Sequence, residues 1–76
     1  MCGIIGLVSK KEVSSTLLEG LKRLEYRGYD SSGIATINSD KIERVRSKGN
    51  LSFLEEKLLN TSLPGNVGIG LSLIHI

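Results

Sequence analysis

Tryptophan is absent from this chain of 76 residues, and cysteine, histidine, proline, methionine and phenylalanine each occur once. A single cysteine, Cys2, excludes an internal disulfide. With one cysteine and one histidine (His75), nothing has metal-ligand spacing, and neither a metal nor another cofactor is expected. Three aromatics, Tyr26, Tyr29 and Phe53, are too few to stack bases. The 10 basic and 8 acidic residues are interspersed and form no basic stripe, which argues against a nucleic-acid partner. Long hydrophobic runs are missing too. No stretch approaches the roughly 20 apolar residues of a membrane span. The apolar run Ile4 to Val8 has no basic residue before it and ends in Ser9-Lys10-Lys11, so it does not read as a signal peptide. Position 2 is Cys rather than the Gly that myristoylation requires. A reducing, cytoplasmic setting is the expectation. At this length a folded chain buries only about 60% of its unfolded surface, so its stability on its own is marginal.

What is present is chemically suggestive at one end. Cys2 follows Met1 and opens Cys2-Gly3-Ile4-Ile5-Gly6. If Met1 is removed, the thiol and a free α-amine share one residue. That amine titrates near about 7.7–8.0, so part of it is unprotonated at neutral pH and available as a base. A base fixed beside a thiol is what nucleophilic catalysis needs. Taken alone, Cys2 also fits a small buried hydrophobe.

The periodicity gives interleaved strands and helices without repeats. Residues 3–8 read as a buried strand. Ser9 and Glu12 then spell a capping box, with Val8 and Val13 as its hydrophobic staple, ahead of a helix carrying Val13, Leu17, Leu18, Leu21 and Leu24 on one face and stopping near Tyr26. Gly20 inside that helix suggests close packing against another element. Residues 33–38 read as a second strand, Ser39-Asp40 as a turn, and the segment with Ile42 and Val45 as a third, exposed strand closing a hairpin. Ser52 and Glu55 suggest a second capping box for a helix lined by Leu51, Leu54 and Leu58. A loop around Pro64-Gly65 precedes a strand-like run from Val67 to Ile76. The uncharged, proline-free tail of that run has the composition of an aggregation hazard.

Two segments weighed together carry a resemblance: Cys-Gly-Ile-Ile-Gly at 2–6, and Arg27-Gly28-Tyr29-Asp30-Ser31-Ser32-Gly33 following Leu18 to Tyr26. The pair resembles the glutaminase domain of class II glutamine amidotransferases of the glucosamine-6-phosphate synthase kind, in order from Cys2 to Gly70. The resemblance implies an α+β fold of the N-terminal-nucleophile hydrolase class, an αββα sandwich of which the chain holds only the first part. It implies that Cys2 is the nucleophile, with its own α-amine as proton acceptor, and that Arg27 is a near-site support whose positive field favours thiolate. Glutamine is the implied substrate. In the complete enzyme a separate isomerase domain receives the ammonia and aminates fructose 6-phosphate; a homodimer is implied as well. Asp30 reads as a turn residue, Tyr26 and Tyr29 as packing residues, and Gly3, Gly6, Gly28 and Gly33 as backbone geometry.

The resemblance stops after Gly68-Ile69-Gly70. The family continues with His-Thr-Arg-Trp-Ala-Thr, whose arginine binds the glutamine carboxylate. Here the chain reads Leu71-Ser72-Leu73-Ile74-His75-Ile76, a non-matching tail at 71–76 expected to be foreign to the domain. His75 matches no family position. The family's oxyanion-hole Asn-Gly pair and the acidic residue for the substrate amine have no counterpart either. The chain alone is therefore expected to hydrolyse no glutamine and to fold poorly. Two alternatives remain open at this point. One is another class II amidotransferase, of the asparagine synthetase or amidophosphoribosyltransferase type. The other is a non-catalytic small αβ binding module in which Cys2 is buried or redox-reactive.

Overall fold

A computed structural model describes residues 3–24, 30–61 and 63–73. The elements run β1 (Gly3–Val8), α1 (Ser14–Leu24), β2 (Ser31–Asn38), β3 (Lys41–Lys48), α2 (Leu51–Asn60) and β4 (Val67–Leu73). The four strands form one antiparallel sheet in the order β1-β4-β2-β3. Both helices lie on the same face of it. This is a small α+β architecture compatible with the first part of an N-terminal-nucleophile type domain.

The hairpin forms as its sequence suggests. Ser39 and Asp40 both take positive φ, 52° and 67°, joining Asn38 to Lys41 in a two-residue turn. That backbone handedness matches the twist of the flanking strands. Strand β4 enters between β1 and β2, pairing Gly6 with Ile69 on one side and Ala35 with Ile69 on the other.

The two helix starts differ from their sequence expectation. Helix α1 begins at Ser14, and Ser9 does not cap it: its Oγ accepts from Lys11 N at 3.2 Å, a local turn. The intervening backbone is held elsewhere, with Ser9 N donating to Asn66 O and Val13 N to Gly65 O. These bonds to the 65–66 loop compete with a first helical turn and win. Val8 is largely exposed, so the expected staple does not close. Helix α2 is capped by Asn50, whose Oδ1 accepts from Ser52 N at 3.1 Å, rather than by Ser52 itself. Leu24, expected on the apolar face, is half exposed at the last turn of α1. The expected end of α1 near Tyr26 lies outside the described residues.

The core comprises Val13, Leu17, Leu18 and Leu21 from or beside α1, Leu51 and Leu54 from α2, Ile34 and Val45 from the sheet, and Leu63, with Ile5, Leu7 and Leu58 packed against it. Lys22 Nζ and Glu55 bridge the helices at 2.8 Å on the surface. That bond raises the Lys22 pKa, so on the alkaline side whatever it contributes is present through neutral pH and lost as pH rises past the ordinary lysine range.

Helix α1 lies close on β4 because the strand offers glycine beneath it. A Cβ at Gly68 would stand 2.8 Å from Ala35 O and 2.9 Å from Leu17 Cδ1; at Gly70 the nearest atoms are side-chain carbons of Ile5 and Leu21 at 3.1 and 3.2 Å. Gly20 does the same from the helix side, lying against Ile5. A backbone oxygen inside a sheet cannot step aside as a leucine methyl can. Gly68→Ala is therefore expected to cost about 1–3 kcal/mol. Gly70→Ala should come out near neutral, its crowding offset by the roughly 0.5–1 kcal/mol that replacing a strand glycine returns. Urea midpoints of the two variants decide the order, and equal midpoints would refute it.

Candidate functional site

Cys2 and Arg27, to which the resemblance assigns the roles of nucleophile and support, both lie outside the described residues, as do Gly28, Tyr26, Tyr29 and His75. What can be built is the end of the sheet from which they lead. Strands β1 and β2 both run antiparallel to β4 and therefore start at the same end. Gly3, the residue after Cys2, pairs with Ser72, and Ser72 pairs on its other side with Ser32. Asp30 N donates to Leu73 O at 2.8 Å, and Gly49 N donates to Asp30 O at 2.6 Å. The backbone of Asp30 thus ties the start of β2 to the end of β4 and to Gly49. One end of the sheet gathers the start of β1, the start of β2 and the last described residues of β4.

Ser72 does most of the local fastening. Fully buried, its Oγ accepts from Gly3 N at 3.2 Å and lies 3.4 Å from Gly3 O. A Cβ at position 3 would stand 2.9 Å from that oxygen, so a glycine is what lets the serine reach across. Gly33, also read as a backbone position, would place a Cβ 3.1 Å from Arg46 Cβ. Neither serine was singled out from the sequence for a burial or bonding role, because a serine does not mark an apolar face. The signal was available in the alternation: Ser72 and Ser32 fall on the same face as the glycines and aliphatics that the helices cover.

Ser32 is different from Ser72. It is 5% exposed, and its Oγ has no hydrogen-bond partner among the described residues. A buried unpaired hydroxyl carries a penalty of about 1–3 kcal/mol. Ser32→Ala should accordingly raise stability by about 1 kcal/mol. Ser72→Ala should lower it, because Gly3 N loses its partner. Thermal or urea unfolding of the two variants tests the opposite signs, and a destabilised Ser32→Ala would show that the hydroxyl is satisfied.

Among the described residues no group of three or more His, Cys, Asp or Glu could hold a metal ion, and no helix is long and apolar enough to cross a membrane. The tail assigned to 71–76 begins as ordinary sheet: Leu71, Ser72 and Leu73 pair with β1 and β2.

No family model matches the chain. Individual relatives do. A Bartonella quintana protein is 63% identical over 70 residues, covering 92% of this chain and 12% of its own length. A Clostridium acetobutylicum protein is 56% identical and a Brucella abortus protein 53%, each over 70 residues with the same shares. All three are named glutamine–fructose-6-phosphate aminotransferase [isomerizing]. The chain spans about an eighth of the length of these relatives (12%). Identity of 53–63% across nearly all of the chain places it, by homology, with the N-terminal part of the glutamine–fructose-6-phosphate aminotransferase family.

Proposed function

We propose that this chain supplies the nucleophile-bearing start of a glutaminase that releases ammonia from glutamine for the amination of fructose 6-phosphate. The observation that carries this reading is the 63% identity, over 92% of the chain, to a protein named for that reaction. The roles given to Cys2 and Arg27 are those that the family resemblance implies.

In this reading Met1 is removed and the Cys2 α-amine takes the thiol proton. The thiolate adds to the side-chain amide carbon of glutamine. Collapse of the tetrahedral adduct breaks the C–N bond, and the ammonium of Cys2 returns a proton to the departing ammonia. A glutamyl thioester remains; water adds to it, the C–S bond breaks, and glutamate leaves. Arg27 favours the thiolate through its positive field. The ammonia then meets fructose 6-phosphate in a separate sugar-phosphate domain, in a cytoplasmic homodimer. No cofactor takes part in the glutaminase half.

The chain alone lacks what holds glutamine. Where the resemblance calls for a carboxylate-binding arginine, it has Leu71-Ser72-Leu73. Removing even one oxyanion-hole donor costs about 10²–10³ in rate. The isolated chain is therefore inactive in this proposal, and its residues 1–70 are competent only inside a complete domain. The test is a graft: residues 1–70 of this chain replace the matching stretch of the Clostridium acetobutylicum relative. The graft should release ammonia from glutamine, and the 76-residue chain should not. A well-folded graft without glutaminase activity, or ammonia release by the chain alone, would sink the proposal.

A further inference from the structure

With Met1 removed, Cys2 is joined to the protein by a single covalent link, its peptide bond to Gly3. An internal nucleophile is held by the chain on both sides; this one is held on one. Terminal residues are poorly ordered unless they are tied down. Strand β1 is also an outer strand of the four, paired with β4 alone among the described strands. What fastens Gly3 therefore decides how well the thiol is placed. The hydroxyl of Ser72 does this. Its Oγ accepts from Gly3 N at 3.2 Å, and that nitrogen belongs to the peptide bond leading to Cys2. A peptide unit is planar, so holding its N–H orients the plane that also contains the Cα of the preceding residue. The anchor is firm. Ser72 is fully buried in a strand paired on both sides, and among the described residues its hydroxyl contacts only Gly3 N and Gly3 O.

Building on the glutaminase reading, we propose that Ser72 is a positioning residue for the nucleophile. Through Gly3 N it sets the plane of the Cys2–Gly3 peptide, and with it the approach of the thiol to the amide carbon of glutamine. It acts through Gly3 and not on the substrate. The motif His-Thr-Arg, continued from Gly70, has threonine at position 72, so a complete domain offers a hydroxyl at the same place. The expected effect is on rate. Misplacing a reacting atom by about 1 Å can cost about 10²-fold.

The test uses the graft of residues 1–70 with Ser72 carried over as well. In its Ser72→Ala variant, kcat for glutamine hydrolysis should fall about 10- to 100-fold while KM for glutamine stays within about twofold, because the hydroxyl places the thiol and not the substrate. Ser72→Thr keeps the hydroxyl and should stay within about threefold of the parent. Thr36→Val is the control for a merely structural loss. It removes another buried hydroxyl bond, from Thr36 Oγ1 to Pro64 O at 2.8 Å, toward the other end of the sheet, and should keep the parent's kcat. An unaltered kcat in Ser72→Ala, an equal loss in Thr36→Val, or a Ser72→Thr variant as slow as the alanine one would each overturn the proposal. A folded parent graft with no turnover would fail the glutaminase reading itself, and the role of Ser72 would fall with it.

Discussion

Cys2→Ala abolishes glutamine-dependent turnover of the grafted enzyme while leaving its amination of fructose 6-phosphate from free ammonium salts intact. The split follows from the chemistry assigned to the residue. Alanine cannot form the thioester, and loss of a covalent nucleophile costs up to about 10⁶ in kcat. Ammonia supplied from solution needs no thioester, and the sugar half is untouched by the substitution. Cys2→Ser keeps a hydroxyl, but one far harder to ionise than a thiol, so it should fall by a comparable factor. A variant with an extra residue that prevents removal of Met1 probes the other half of the proposal. It keeps the thiol and displaces the amine, and should lose the glutamine reaction alone. Arg27→Ala should slow the reaction less, and its pH-rate profile should move to higher pH as the thiolate loses its positive neighbour. Full glutamine-dependent activity in the Cys2→Ala or the Met1-retaining form would remove the nucleophile from Cys2.

Much of the fold was legible in the residues, and the two helix starts were not, for different reasons. Strand β1 occupies the residues its apolar run marks, though Ile4 and Val8 are exposed rather than buried, and the Ser39-Asp40 turn is where a two-residue hairpin needs positive φ. The helical face of Val13, Leu17, Leu18 and Leu21 is buried as its spacing requires. The start of α1 was misplaced because a capping box is a local pattern, whereas the observed start depends on distant groups. Ser9 and Val13 bond to the 65–66 loop, which no window around residue 12 contains. At α2 a better-placed acceptor, Asn50, stood two residues before the serine.

The candidate site was legible in a different way. Cys2 and Arg27 stood out through a motif, and the register then showed that the strands following them start together at one end of the sheet. The make-up of the sheet face opposite the helices was not legible at all. Arg44, Arg46 and Lys48 alternate along an evident strand, but only the order β4-β2-β3 sets them across a row of small residues from Ile69, Leu71 and Leu73. Strand order in a sheet with a crossover is a long-range property, and alternation within one strand does not contain it.

The same long-range packing makes Leu17 the most vulnerable aliphatic. Leu17 is fully buried in α1 and points at Gly68, where a Cβ would stand 2.9 Å from its Cδ1. Leu→Ala substitutions in cores cost about 2–5 kcal/mol, and the cost depends on how far the surroundings can collapse into the space. Here the floor beneath the side chain is glycine backbone on a strand paired on both edges, so little can move in. Leu17→Ala therefore belongs at the upper end of that range. A single core in a chain below about 70–80 residues seldom supplies more than about 3–5 kcal/mol, so the substitution consumes nearly all of it. The variant should show no cooperative urea transition and a collapsed amide spectrum. Leu59→Ala, at a position 82% exposed, should stay within about 0.5 kcal/mol of the parent. Retention of the parent's urea midpoint by Leu17→Ala would mean that α1 does not rest on β4 as described, and the account of the core would fail with it.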